Sequence, residues 1–167
     1  MTGVTMRPDL LRPDCSRCVG LCCVALAFDR SAFFAFDKPA GEPCRNLDAD
    51  HACTIHARLG AEGFRGCVQF DCLGAGQRAT ALFPDPGHTS DLFDAFARMR
   101  RVHQLLELLV EAERLDLDAD QRRHCGRLVA RLSADWSREA FAALDLEALS
   151  GEVMGFLTGL RALAQGR

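Results

Sequence analysis

The chain has 167 residues, 49% of them hydrophobic and 26% charged, with a formal net charge of -3. That is the composition of one or two folded domains, not of a disordered chain. It lacks the basic excess of a nucleic-acid binder, so no nucleic acid is expected, and no apolar run approaches the roughly 20 residues needed to cross a bilayer.

From the N-terminus, Met1 to Pro13 carries charges and prolines but no apolar signal-peptide core. A cytoplasmic location is therefore expected. Next comes the densest chemistry. Of nine cysteines, eight fall between Cys15 and Cys72. In a secreted chain this density would be read as a disulfide framework. In a reducing compartment it is read as metal ligation. The segment opens with Cys15-x2-Cys18-x3-Cys22-Cys23, and Cys44, Cys53, Cys67 and Cys72 follow.

A C-x2-C pair lets two thiolates reach one metal from a tight turn. On helical backbone Cys15, Cys18 and Cys22 would share one face, with Cys23 turned away by about 100°. Adjacent Cys22 and Cys23 therefore point to two sites or to one polynuclear centre. Eight thiolates suffice for two four-coordinate sites, and the spacing leaves open which four go together. All-thiolate ligation suits both zinc and an iron–sulfur cluster. Cys53 and His56 also make a C-x2-H spacing, so His51 and His56 are alternative ligands or neighbours of the site. Arg12, Arg17, Arg45 and Arg65 are close enough in sequence to offset thiolate charge.

Other elements of this half are weakly signalled. Val24, Leu26 and Phe28 alternate, as do Phe34 and Phe36, so either stretch could form a short strand. Ile55 to Gly63 could be a short helix ended by glycine. The Phe33-Phe34-x-Phe36 cluster is expected to pack beneath the metal site. The run Pro84-Asp85-Pro86-Gly87-His88-Thr89-Ser90 consists of chain breakers and helix caps. It divides a cysteine-rich module, 1–83, from a helical part, 90–167.

The second part has helical periodicity. From Asp91 to Leu115 the stripe is Leu92, Phe96, Met99, Val102, Leu106 and Leu109. A second helix follows Asp118, with Gln121 placed for a capping box. Its apolar side carries Cys125, Leu128, Val129, Leu132 and Trp136, which makes Cys125 a core thiol. After a short turn over Ser137–Leu144, a third helix runs from about Asp145 to Ala164. Leu146, Leu149, Val153, Phe156, Leu157, Leu160 and Leu163 lie on one side of it. The fold class expected is mainly α: an irregular cysteine-rich metal-binding half packed with a C-terminal antiparallel helical bundle. The bundle could also serve self-association or a protein partner.

The opening Cys15-Ser16-Arg17-Cys18-Val19-Gly20-Leu21-Cys22-Cys23 resembles the zinc- or iron-chelating CxxCxxxCC family. That family includes YkgJ-type proteins and is related to the flagellin lysine N-methylases. The similarity covers about 15–72 and implies metal chelation by these cysteines. Where the family often has C-x-I-Y-E-x-R-P-x-x-C, this chain has Cys53-Thr54-Ile55-His56-Ala57-Arg58-Leu59, without the Arg-Pro.

A similarity over nearly the whole chain is to the N-terminal part of actinobacterial pentapeptide-repeat proteins. It is carried by the opening motif, by Asp37-Lys38-Pro39-Ala40-Gly41 with Pro43-Cys44-Arg45-Asn46-Leu47, and by Asp71-Cys72-Leu73-Gly74-Ala75-Gly76-Gln77. The repeats themselves are absent from this sequence, so a gyrase-inhibiting or DNA-mimic role is not implied.

The resulting expectation is a metal-binding protein of structural, sensing or regulatory role. An iron–sulfur enzyme related to the lysine N-methylases and a thiol redox protein are the alternatives. The chain has no H-E-x-x-H, G-x-S-x-G or P-loop motif, so catalysis is not expected.

Overall fold

The computed structural model describes residues 9–161. Among them the fold is mainly helical, with seven α-helices and no sheet. In chain order these are α1 (Leu21–Ala25), α2 (Arg65–Gln69), α3 (Ala75–Thr80), α4 (Ser90–Ala112), α5 (Ala119–Leu132), α6 (Arg138–Ala142) and α7 (Leu146–Gly159). Three 3₁₀ turns, Asp9–Leu11, Cys15–Arg17 and His56–Arg58, complete the set. The chain divides into two compact units, one over Pro13–Arg100 and the other over the described parts of 1–12 and 101–167, so that the division falls within α4.

In the first unit, short helices and turns replace the alternating strands that the sequence suggested. Val24 lies inside α1 instead of on a strand, and only Phe28 takes up extended pairing, in an isolated antiparallel bridge with Lys38. Ser31 N–H bonds to the Phe34 carbonyl, turning the chain where a second strand could have run. The other bridge pairs Leu47 with Cys53. The expected helix over 55–63 is a single 3₁₀ turn, His56–Arg58, followed by turns that end at Gly63, whose φ is +84°.

The phenyl rings of this unit cluster. Phe28 stacks on Phe34 with centroids 4.4 Å apart, and Phe64 sits edge-on to Phe36 at 5.0 Å. Phe33, in contrast, is exposed. The early part of α4 buries Leu92, Phe96 and Met99, the stripe read from its periodicity.

The second unit follows its helical periodicity. The remainder of α4 buries Val102, Leu105, Leu106 and Leu109, α5 buries Cys125, Leu128 and Leu132, and α7 buries Leu149 and Val153. Cys125 Sγ–H points at the Leu109 carbonyl 3.7 Å away, so it is a core thiol. Both halves of the capping box are present: Asp118 accepts from Gln121 N–H at 2.8 Å, and Gln121 Oε1 accepts from Asp118 N–H at 2.9 Å. Arg131 of α5 pairs with Glu152 of α7. Helix α4 ends at Ala112, short of Leu115, and Trp136 lies beyond α5, packed on Phe141 with centroids 5.4 Å apart. Leu163 and Ala164, read as the end of the third helix, lie outside the described residues.

Candidate metal centre

The eight cysteines Cys15, Cys18, Cys22, Cys23, Cys44, Cys53, Cys67 and Cys72 all lie in the first unit and are all free. Their positions come from turns. Asp14 caps the first 3₁₀ turn by accepting from Ser16 N–H at 3.1 Å. Cys18 N–H then returns to the Cys15 carbonyl at 3.2 Å, the tight C-x2-C turn expected.

The single helical face imagined for Cys15, Cys18 and Cys22 does not form. Cys18 is extended (φ −127°, ψ 138°), and Gly20 is left-handed at φ +69° before α1 begins. Only glycine takes that conformation freely. A Cβ there would also lie 2.7 Å from Leu47 Cδ1 and 3.3 Å from the His51 carbonyl. Cys22 and Cys23 therefore sit in a separate short helix, with their sulfurs 3.9 Å apart.

Of the downstream cysteines, Cys44 returns directly to this helix. Cys44 N–H bonds to the Cys23 carbonyl at 2.9 Å, and the Leu47–Cys53 bridge follows directly. Cys67 lies on α2 beside Gly66, where a Cβ would enter the Phe34 ring. The phenyl cluster thus abuts the segment carrying Cys67, through Phe34 and not the exposed Phe33. Cys72 precedes α3, and Ala75 N–H bonds to its carbonyl at 2.9 Å. At Gly76 a Cβ would lie 2.8 Å from Cys18 Sγ and 3.9 Å from Cys72 Sγ. The bare glycine keeps open the space those two sulfurs share.

Although neighbours, the sulfurs do not converge as they stand. Among the described residues no group of three His, Cys, Asp or Glu side chains is gathered closely enough to hold a metal ion. The donor set nevertheless has the soft thiolate chemistry that zinc and iron–sulfur groups require.

Burial and the Cys22–Cys23 contact set the acidities of these thiols, with thiol–thiol repulsion adding less. The contact between the two sulfurs, in which either thiol can donate, lowers Cys22 to about 7 and holds Cys23 well above its ordinary value. Burial pushes Cys15, Cys18 and Cys53 upward and Cys67 to about 11.

One residue of this site was missed in the sequence. Lys38 is the chain's single lysine and only 4% exposed. Its ammonium donates to the carbonyls of Val24 at 3.0 Å, Pro39 at 2.9 Å and Glu42 at 2.8 Å. Burial lowers its pKa, and the thiols of Cys44, Cys23 and Cys22 oppose that shift. It is a fixed cation beside the cysteines, and it ties the end of α1 to the loop that brings in Cys44. A lone lysine in an arginine-rich chain was the available signal.

The arginines proposed for charge compensation are engaged differently where contacts are defined. Arg45 lies over the Phe36 ring at 3.5 Å, and Arg12 pairs with Asp9 at 3.5 Å. Of the two candidate histidines, His56 is exposed at a turn. His51 sits at φ +62°, its ring 5.1 Å from that of His88. His88 Nε2 lies 2.7 Å from the Val19 carbonyl, which can only accept, so that nitrogen carries the proton.

Over 114 residues the chain is 43% identical to the uncharacterized protein YybG of Bacillus subtilis strain 168, an overlap of 64% of this chain and 41% of that protein. The chain thus matches less than half the length of this relative. No protein-family model matches the chain, and neither does any solved structure.

Proposed function

We propose that this chain is a cytoplasmic metal-binding protein, which holds zinc or an iron–sulfur cluster on Cys15, Cys18, Cys22, Cys23, Cys44, Cys53, Cys67 and Cys72. Its role is structural, sensing or regulatory. The observation that carries this reading is that all eight cysteines lie within one compact unit, where Cys44 N–H bonds to the Cys23 carbonyl and the sulfurs of Cys18 and Cys72 flank Gly76. The similarity of the opening motif to the CxxCxxxCC family supports it. No helix of the described residues is long and apolar enough to cross a membrane, which agrees with this location.

Bound metal would supply cross-links that the first unit otherwise lacks. Its helices outside α4 are five or six residues long, too short to be stable alone. A structural zinc contributes roughly 10–16 kcal/mol of apparent binding free energy in finger peptides, whereas whole domains are stable by only about 5–15 kcal/mol. The second part is read as an antiparallel bundle of α4, α5 and α7, available to a partner or a second copy. Exposed Leu108 and Met154 support that role.

The close thiols of Cys22 and Cys23 also raise thiol redox chemistry as a reading. Adjacent Cα atoms are only about 3.8 Å apart across a trans peptide, shorter than the roughly 4.4–6.8 Å that disulfides span. A bridge between these two is therefore strained, and ligation suits the pair better.

Hydrogen exchange before and after stripping metal with a strong chelator tests the proposal. Residues 15–72 are expected to lose protection while α5 and α7 keep theirs. Protection over 15–72 that does not change would overturn it.

A further inference from the structure

We propose that Cys18 and Cys72 are ligands of one and the same thiophilic metal ion, and that Gly76 is the positioning residue that keeps the space between their sulfurs open. The inference rests on the metal-binding reading above. It adds one pair of sulfurs that share an ion and the backbone position that lets them do so.

The two cysteines are distant in sequence and meet through α3. The segment carrying Cys18 is bonded to this helix at both ends. Asp14 N–H donates to Gln77 Oε1 at 3.1 Å, and Val19 N–H to Thr80 Oγ1 at 3.5 Å. The Thr80 hydroxyl in turn donates to the Gly76 carbonyl at 2.9 Å. Cys72 is held by the turn that leads into α3, where Ala75 N–H bonds to its carbonyl at 2.9 Å. Leu73, next to it, takes a left-handed φ of +55°, and the Asp71 carboxylate accepts its N–H at 2.7 Å. A leucine stays in that region only where its surroundings hold it.

Gly76 stands between the two sulfurs, buried within α3. A Cβ built there would lie 2.8 Å from Cys18 Sγ and 3.9 Å from Cys72 Sγ, so both sulfurs come within 4 Å of one point. Zinc holds thiolates at about 2.3 Å, so small side-chain rotations suffice for both to grip one ion. The backbone does not call for glycine here. Gly74 is left-handed at φ +78°, but Gly76 is helical, and alanine is the better helix former. What excludes a side chain at this position is the pair of sulfurs.

An added methyl group acts differently on the free and the loaded site. At 2.8 Å from the new Cβ, Cys18 Sγ has to move. In the metal-free chain that sulfur ends a side chain with a single torsion, and it turns aside at little cost. A sulfur that shares an ion with Cys72 cannot turn aside without leaving it. Gly76→Ala therefore separates metal affinity from fold stability, which a packing role alone would not do.

The test compares the full wild-type chain with Gly76→Ala and with Gly126→Ala, a helical glycine of α5 whose Cβ would meet nothing within 4 Å. Urea denaturation of the metal-free proteins reads stability, and zinc titration against a chromophoric chelator reads affinity. Gly76→Ala is expected to keep or raise the metal-free midpoint. It should bind one zinc ion roughly 10–100-fold less tightly, the usual scale when the support of metal ligands is lost. Gly126→Ala should keep wild-type affinity. Cys18→Ser, Cys72→Ser and the double variant test the sharing, with zinc counted under competing chelator. Each single variant should hold one ion fewer than the wild type, and the double variant no fewer than the singles. Wild-type zinc affinity in Gly76→Ala would overturn the inference, as would a double variant that loses one ion more than either single. The serine series decides alone if Gly76→Ala does not fold. A wild-type chain that takes up no zinc would overturn the metal-binding reading beneath it as well.

Discussion

Lys38 shows at the level of one residue how this site is assembled. A buried ammonium is costly unless its donors are satisfied, and here carbonyls from three residues satisfy them. Val24 O keeps a second partner in Gly41 N–H at 2.9 Å, whereas the carbonyls of Pro39 and Glu42 lose the Lys38 donor. Lys38→Met is therefore expected to destabilise the metal-free protein by about 1–3 kcal/mol, the usual cost of orphaned buried polar groups. Urea denaturation measures it, and an unchanged midpoint would refute the role. The proposed ligand types were legible in the sequence, because eight closely spaced cysteines are read as metal ligands if the compartment is reducing. The sequence could not show that a lone lysine would fold back on carbonyls contributed by both ends of its own loop.

Among the elements, long helices were legible and short ones were not. Helix α4 was readable because apolar residues recur over 23 positions, and α5 because its capping box marks its start. Asp118→Ala should cost about 0.5–2 kcal/mol, as loss of a cap does, read as a lower thermal midpoint. In the first unit the helices before α4 are one or two turns long, and glycines and cysteines place them with no repeating apolar face. The alternation at Val24, Leu26 and Phe28 suggested a strand, yet Val24 and Leu21 are buried together in α1. Gly66 illustrates a constraint invisible to periodicity. Its missing side chain admits the Phe34 ring, so Gly66→Ala should overpack that contact and cost about 1–3 kcal/mol. Equal stability of the two proteins would contradict the packing.

For the whole molecule, the thiols give stability without metal a distinct pH dependence. Burial raises Cys67 and Cys125 to about 11 from an ordinary 9.0, and Cys15, Cys18 and Cys53 move the same way. The unfolded chain therefore ionises these thiols first, and binds fewer protons than the folded one between pH 9 and 11. Stability must fall as pH rises through that window. Cys22, lowered to about 7, acts oppositely and only below the window, adding stability as pH rises from about 7 to 9. Chelator-treated protein should accordingly lose stability in denaturant melts from pH 9 to 11, and a flat profile would contradict the burial of these thiols. Metal would remove most of this dependence, because ligating sulfurs are already deprotonated.

The central claim is that eight cysteines hold metal, and metal content addresses it most directly. Protein purified without oxygen should be analysed for zinc, iron and acid-labile sulfide per chain, together with its visible spectrum. The account predicts stoichiometric metal: colourless protein with two zinc ions, or coloured protein with iron and sulfide. Both forms should be lost when the cysteines of 15–72 are replaced by serine. Folded protein that carries no metal, with all eight thiols freely titratable, would contradict it.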